Sequence, residues 1–218
     1  MIHLIADKIV ESLVALPFVE KITGIVKPLK YYGPDKKIIV IPVAFNTDPT
    51  ACNTSQLNDY VPNSKRRSII YFEDQGTSMI RNGTYLEFTS QMRLVCWFNH
   101  KKIGAQYDSS LIALNVLKYL PDKLGNFSNL LGVWVDVLRQ EPNDGGAFSR
   151  YSYQEEINQY ITYPYDYVSF ILQATYKVRK DCIEDIAPEN IACGLPLTWD
   201  TENVTFDSEI TFDTENYG

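Results

Sequence analysis

Apolar residues recur at Ile2, Ile5, Ile9, Leu13 and Leu16, while His3, Asp7, Lys8 and Glu11 fall on the other side. That spacing predicts an amphipathic helix over 2–16, stopped by Pro17. Beyond it the period shortens. Segments 18–27 and 36–45 ("KKIIVIPVAF") are rich in β-branched residues and flank the turn-forming stretch "YYGPDK", which predicts two strands. Pro42, which lacks a ladder donor, places the second at an edge or a bulge. Residues 46–67 are polar and without period, a loop longer than compact domains normally keep without a purpose.

Two strands then meet at "RNGT", residues 81–84, where Asn-Gly favours a tight hairpin because both turn positions want positive φ. On the returning strand Leu86, Phe88, Met92, Leu94, Cys96 and Phe98 share one parity, and Tyr85, Glu87, Thr89, Gln91, Arg93 and Trp97 the other. At roughly 3.3 Å per residue, about sixteen residues span roughly 50 Å, so part of this hairpin should project from the body. A second helix is predicted over 108–120, opened by Asp108 and closed by Pro121. It is so rich in Leu, Ile and Val that packing on most of its sides is expected.

A strand at 132–139, a loop "QEPNDGGAFSR" and a Tyr-rich run at 151–167 lead to a last strand. There Val168, Phe170, Leu172, Ala174, Tyr176 and Val178 face one way. The order predicts an α+β fold: a sandwich-like antiparallel sheet with two helices on one face, a long projecting hairpin and an extended C-terminal tail. Residues 1–180 form the body, with insertions at 46–67 and 140–165, and 181–218 the extension.

Charge sharpens that division. Of the net −7, six carboxylates and no Lys or Arg lie from Trp199 onward, leaving residues 1–198 with 20 basic and 21 acidic groups. The near-neutral body carries no basic stripe of the kind nucleic-acid binding requires. The tail repeats itself: "TWDTEN", "TFDSEI" and "TFDTEN" begin at 198, 205 and 211. Val204, Phe206, Ile210 and Phe212 share a strand parity that suits addition to a sheet edge, and a solvated, unstructured end is the other reading. The N-terminus is broken by Asp7, Lys8 and Glu11, so it predicts neither a signal sequence nor a membrane span.

Candidate chemistry is sparse. Cys96 and His100 invite a nucleophile–base reading, but Cys96 shares its parity with Leu94 and Phe98 and should be a small hydrophobe in the apolar layer. His100 lies roughly 13 Å further along, out of hydrogen-bond reach. Cys52, Cys96, Cys182 and Cys193 match no zinc spacing; reduced thiols are expected, with a Cys182–Cys193 disulfide as the alternative. His3 and Asp7 form a helical surface pair. Glu73-Asp74, Glu155-Glu156 and Glu184-Asp185 read as solvated surface, because neighbours on an extended chain face apart. No catalytic, cofactor-binding or metal-ligating residue is assigned, and the chain is read as a non-enzyme.

Tyrosine is the better signal, with 15 copies, and Tyr160, Tyr163, Tyr165 and Tyr167 fall close together. A large apolar ring with a polar tip suits an interface between subunits. The alternative is a core whose hydroxyls reach water at its rim. Interface residues are therefore expected at these four tyrosines, at Arg81 and Asn82 of the hairpin tip, and at Trp199, Phe206 and Phe212 of the tail.

The element order resembles bacteriophage head–tail connectors of the tail-terminator or tail-completion type. In these an N-terminal helix ends near an "LPFV"-like step, here Leu16 to Val19, and "YLEFTSQMRLVCWFN" before "DSSLIALNVLKYLP" matches their long strand leading into a second helix. The likeness covers about residues 2–180; the insertions and the acidic tail exceed what the smallest members carry. Tail-ring proteins of short-tailed, crAss-like phages would accommodate such additions. The resemblance implies a virion structural protein made in the host cytoplasm. It would form a six- or twelve-fold homo-oligomeric ring between portal-proximal and tail components, with DNA passing through the bore unread. It implies no cofactor and no membrane. A carboxylate-based hydrolase or transferase is the alternative from another class, and a surface-binding module that offers its tyrosines to glycans a third.

Overall fold

The structure is a computed structural model, and it describes residues 1–33, 36–45, 57–104, 107–152 and 161–180. The chain divides into two units, 1–184 and 185–218, and every described residue belongs to the first. Helix α1 runs from Ile2 to Leu13 and buries Ile5, Ala6, Ile9 and Leu13. It stops three residues short of the sequence expectation. Pro17 disfavours helical backbone at the residue before it, and the chain closes instead with a turn from Leu16 N–H to Leu13 O. Leu16 and Phe18 still enter the core. Buried Ser68 pins this exit: its hydroxyl donates to Phe18 O at 2.6 Å and accepts from Glu20 N–H at 3.0 Å.

Among the described residues eight strands form one sheet: β1 (Lys21–Tyr32), β2 (Ile38–Phe45), β3 (Leu57–Asp59), β4 (Ser68–Asn82), β5 (Tyr85–Asn99), β6 (Lys123–Phe127), β7 (Leu130–Gln140) and β8 (Tyr165–Arg179). Their spatial order is β3-β2-β1-β4-β5-β8-β7-β6. Every pairing is antiparallel except β1 with β4. Pro42 lies in β2, one strand in from the edge, opposite Pro28. Two helices link β5 to β6: α2 (His100–Ile103) and α3 (Ser109–Tyr119).

One face of the sheet carries Ile70, Phe72, Leu94, Cys96, Phe98, Phe170 and Leu172, and both α1 and α3 pack on it. This is the α+β layout expected. The opposite face carries a smaller core of Ile69, Tyr71, Val95, Trp97 and Tyr167, covered in part by Tyr60, Ala147 and Phe148. Being covered on both sides explains why Ser68–Glu73 and Leu94–Asn99 are continuously buried rather than alternating.

Several expectations need correction. Asn82 and Gly83 bend the hairpin as anticipated, but neither has positive φ; Arg81 pairs with Glu87 and Asn82 with Leu86, after bulges at Asp74/Gly76 and Met79/Arg81. All of β5 from Tyr85 to Asn99 is in register with β8, so long-range pairing sets the register and the corner yields to it. The outer half of β4 is exposed, yet the hairpin is no free ribbon, because β8 follows β5 to its tip. In the 46–67 stretch, Leu57–Asp59 is a strand and residues 46–56 lie outside the described residues. β6 and α2 carry too little period to be read from sequence. Helix α3 packs on one side only: Ile112, Ala113 and Val116 are buried, whereas Leu111, Leu114 and Leu117 face solvent.

Candidate functional site

Cys96 sits on the middle of β5 with no exposed surface, and burial pushes its thiol well above the ordinary cysteine range. It is a core residue, as its parity indicated. His100 begins α2, just past β5, and its ring packs edge-on against Phe98 with centroids 5.1 Å apart. Nδ1 lies 3.0 Å from Tyr107 O and, since a carbonyl only accepts, carries a proton. Nε2 lies 3.7 Å from Asp166 Oδ2. No nitrogen of this ring addresses the thiol.

The His100 ring is one wall of an open cleft of about 400 Å³ lined also by Lys101, Tyr107, Asp108 and Tyr163. Ser109 and Asp166 stand beside it, so the residue types of a hydrolase triad are present, but not in a triad's order. Ser109 Oγ donates to Asp166 Oδ2, while Asn143 Nδ2 and Tyr167 N–H donate to Oδ1. The carboxylate therefore sits between hydroxyl and imidazole. A nucleophilic serine needs the imidazole in the middle to take its proton. Here the acid ties together the starts of α3 and β8 and the loop after β7, a fastening rather than a relay. Asp108 is likewise occupied, capping α3 through Leu111 N–H at 2.6 Å.

On the other face of the sheet lies the polar cluster that sequence reasoning missed. Arg93 of β5 reaches Glu141 with Nε–Oε2 at 2.7 Å and Nη2–Oε1 at 3.1 Å, and Glu73 of β4 with Nη1–Oε2 at 3.0 Å. Tyr151 Oη donates to Glu73 Oε1 at 2.7 Å and Ser169 Oγ to Glu141 Oε2 at 2.9 Å. Glu73 is 1% exposed, which corrects its assignment to solvated surface. Glu73 and Asp74 do point to opposite faces; the face given to Glu73 happens to be covered. Glu155, Glu156, Glu184 and Asp185 lie outside the described residues. The only signal was Arg93 itself, the one charge in the largely apolar stretch from Met92 to Phe98. Both carboxylates point at the guanidinium, so the cluster fixes the loop at Glu141 and Tyr151 to the sheet. Among the described residues no group of three His, Cys, Asp or Glu is arranged to hold a metal ion.

The residues expected at interfaces separate. Tyr163 is 80% exposed, stacked over His100 at 6.2 Å. Tyr165 is half-buried and stacks on Trp97 at 5.5 Å. Tyr167 is a core residue, 1% exposed, its hydroxyl accepting from Gly145 N–H at 2.7 Å. Its parity brings it under Phe148, and the core reading replaces the interface one there. Arg81 and Asn82 are exposed at the tip of β4. Tyr160, Trp199, Phe206 and Phe212, together with Cys52, Cys182 and Cys193, lie outside the described residues.

What the structure adds is a set of apolar side chains in solvent. Met79, Ile80 and Tyr85 crowd the hairpin tip, each at least 42% exposed. Trp134, Val137 and Leu138 are exposed on β7, with Lys123 Nζ 4.8 Å over the indole ring. Leu111, Leu114 and Leu117 form a stripe along α3, and Tyr31, Tyr32 and Ile38 mark the end of the β1–β2 hairpin. No helix is long and apolar enough to cross a membrane among the described residues. No protein-family model, curated protein or solved structure matches this chain.

Proposed function

We propose that this chain is a structural subunit of a bacteriophage particle, assembling into a homo-oligomeric ring at the head–tail junction or in the tail. The observation that carries the reading is the distribution of exposed apolar residues. They lie at the hairpin tip, on β7 one strand in from the β6 edge, along the outward side of α3 and at the β1–β2 turn, that is, in several separate places on the surface rather than in one concave pocket. Large exposed apolar groups on a protein of ordinary composition suit contacts with other chains. A ring subunit needs such contacts on both flanks and on its upper and lower ends. The element order supports the same reading: an N-terminal helix, a long hairpin, a further helix and more strands, with both major helices on one sheet face.

In this reading the exposed tip of the β4–β5 hairpin docks on the ring above or below, and the flanking strands meet neighbouring subunits. DNA passes through the bore without base-specific contacts. Light scattering on the size-exclusion peak of the purified chain, alone and mixed with portal and tail proteins, tests it, with electron microscopy of the same fractions. Closed rings are expected. A stable monomer that joins no ring in any partner mixture overturns it.

A further inference from the structure

β1 borders β4 only from Lys21 to Val26, opposite Ile69 to Glu73, and then turns away to pair with β2. Among the described residues no strand lies outside β4 from Asp74 to Asn82. Such an edge offers outward N–H and C=O groups to any extended chain. Its two bulges leave Gly76–Met79 as regular ladder. The two faces beside it differ. Met79 lies opposite Phe88, whose ring stacks on Tyr176 at 5.6 Å, so one face is apolar near the tip, with the paired hydroxyls of Thr77 and Ser90 further in. On the other face lie Arg81, opposite Glu87, and the half-exposed Arg150, whose guanidinium donates to Asp74 O at 3.2 Å and to Gln75 Oε1 at 3.4 Å and stands 3.9 Å from buried Glu73.

A strand that fits must be apolar on one side and acidic on the other. Residues 204–215 of this chain have that pattern: Val204, Phe206, Ile210 and Phe212 alternate with Asp207, Glu209, Asp213 and Glu215. In one orientation the aromatic parity meets Met79 and the acidic parity meets Arg81 and Arg150. We propose that the edge of β4 accepts residues 204–215 of a second copy of this chain as an added strand. The proposal rests on the assembly reading for the presence of a neighbouring copy. One donor segment and one acceptor edge per subunit make a head-to-tail contact, which closes into a ring when the rotation allows.

The test uses the full chain with benzoylphenylalanine in place of Met79, prepared as equal parts of normal and nitrogen-15 protein and irradiated after mixing. Cross-links between position 79 and residues 204–215 that join one normal and one heavy chain are expected. Phe206→Asp with Ile210→Asp should cut their yield about tenfold, the effect of roughly 1.4 kcal/mol at the contact. Arg81→Glu should lower it as well, while circular dichroism confirms that the body still melts normally. Absence of links to 204–215, links confined to single-isotope chains, or a yield unchanged in the double variant overturns the proposal. Light scattering on the same samples separates the two ideas: rings without mixed links sink only the strand exchange, whereas monomers throughout sink the assembly reading too.

Discussion

Truncating Arg93 to alanine takes the guanidinium from two carboxylates that the fold has already removed from water. Glu73 is left with the Tyr151 hydroxyl and the half-exposed Arg150 at 3.9 Å, and Glu141 with the Ser169 hydroxyl. Glu73 retains 1% exposure and the Glu141 side chain 13%, and Arg93 supplies three hydrogen bonds between them. Breaking a buried ion pair by removing one partner costs about 3–5 kcal/mol, because the surviving charge keeps its desolvation and loses its compensation. Glu141 is partly wetted, so about 3–4 kcal/mol is expected for Arg93→Ala. For a body of this size each kcal/mol moves the melting midpoint by about 2–4 °C, which gives a fall of roughly 6–16 °C.

Thermal melts by circular dichroism and urea titrations by tryptophan fluorescence measure this, with the slope of the urea transition checked for constancy. Arg93→Lys should recover only part of the loss, since a point charge does not reproduce the forked contact with Glu141. Replacing Glu73, Arg93 and Glu141 together by leucine should be milder than Arg93→Ala, because no uncompensated charge remains. A loss below about 1 kcal/mol for Arg93→Ala, the range of exposed pairs, would refute the argument. So would a triple variant less stable than the single one.

Three further outcomes are expected. Cys96 should stay unalkylated by iodoacetamide in the native protein and react once denaturant is added, as read by peptide mass mapping; native labelling would show that the β5 core opens. On α3, Ile112→Ala should cost about 2–5 kcal/mol by cavity formation, whereas Leu114→Glu, at 63% exposure, should stay within about 0.5 kcal/mol in the isolated subunit. Comparable losses in both would contradict the one-sided packing of that helix. The hydrogen bond from Lys177 holds the Glu87 carboxyl below its ordinary 4.5. Its contribution is therefore present above that value and lost as pH falls through the lower folded-state value. Lys177→Met should flatten the acid limb of the stability–pH curve at this position, and an unchanged limb would show that the pair is not formed in solution.

The sequence by itself determined most of the inventory, with β3, β6 and α2 escaping it. Period-3.6 spacing placed α1, strong apolar alternation placed β5 and β8, and Cys96 went to the core because its parity matched Leu94 and Phe98. These are one-dimensional signals, since each residue's face follows from its own neighbours along the chain. What only the tertiary structure decided is register and cover. A two-residue corner at Asn82-Gly83 would put Arg81 opposite Thr84 and, counting back, Glu73 opposite Met92. The fold inserts two bulges and sets Glu73 against Arg93. β5 pairs along its whole length with β8, and many ladder bonds outweigh one turn's preference. Cover is equally non-local. Glu73 and Asp74 carry the same charge, yet the loop at Glu141–Tyr151 closes over the first and leaves the second in water. The apolar stripe of α3 stays open because only one of its sides meets the sheet.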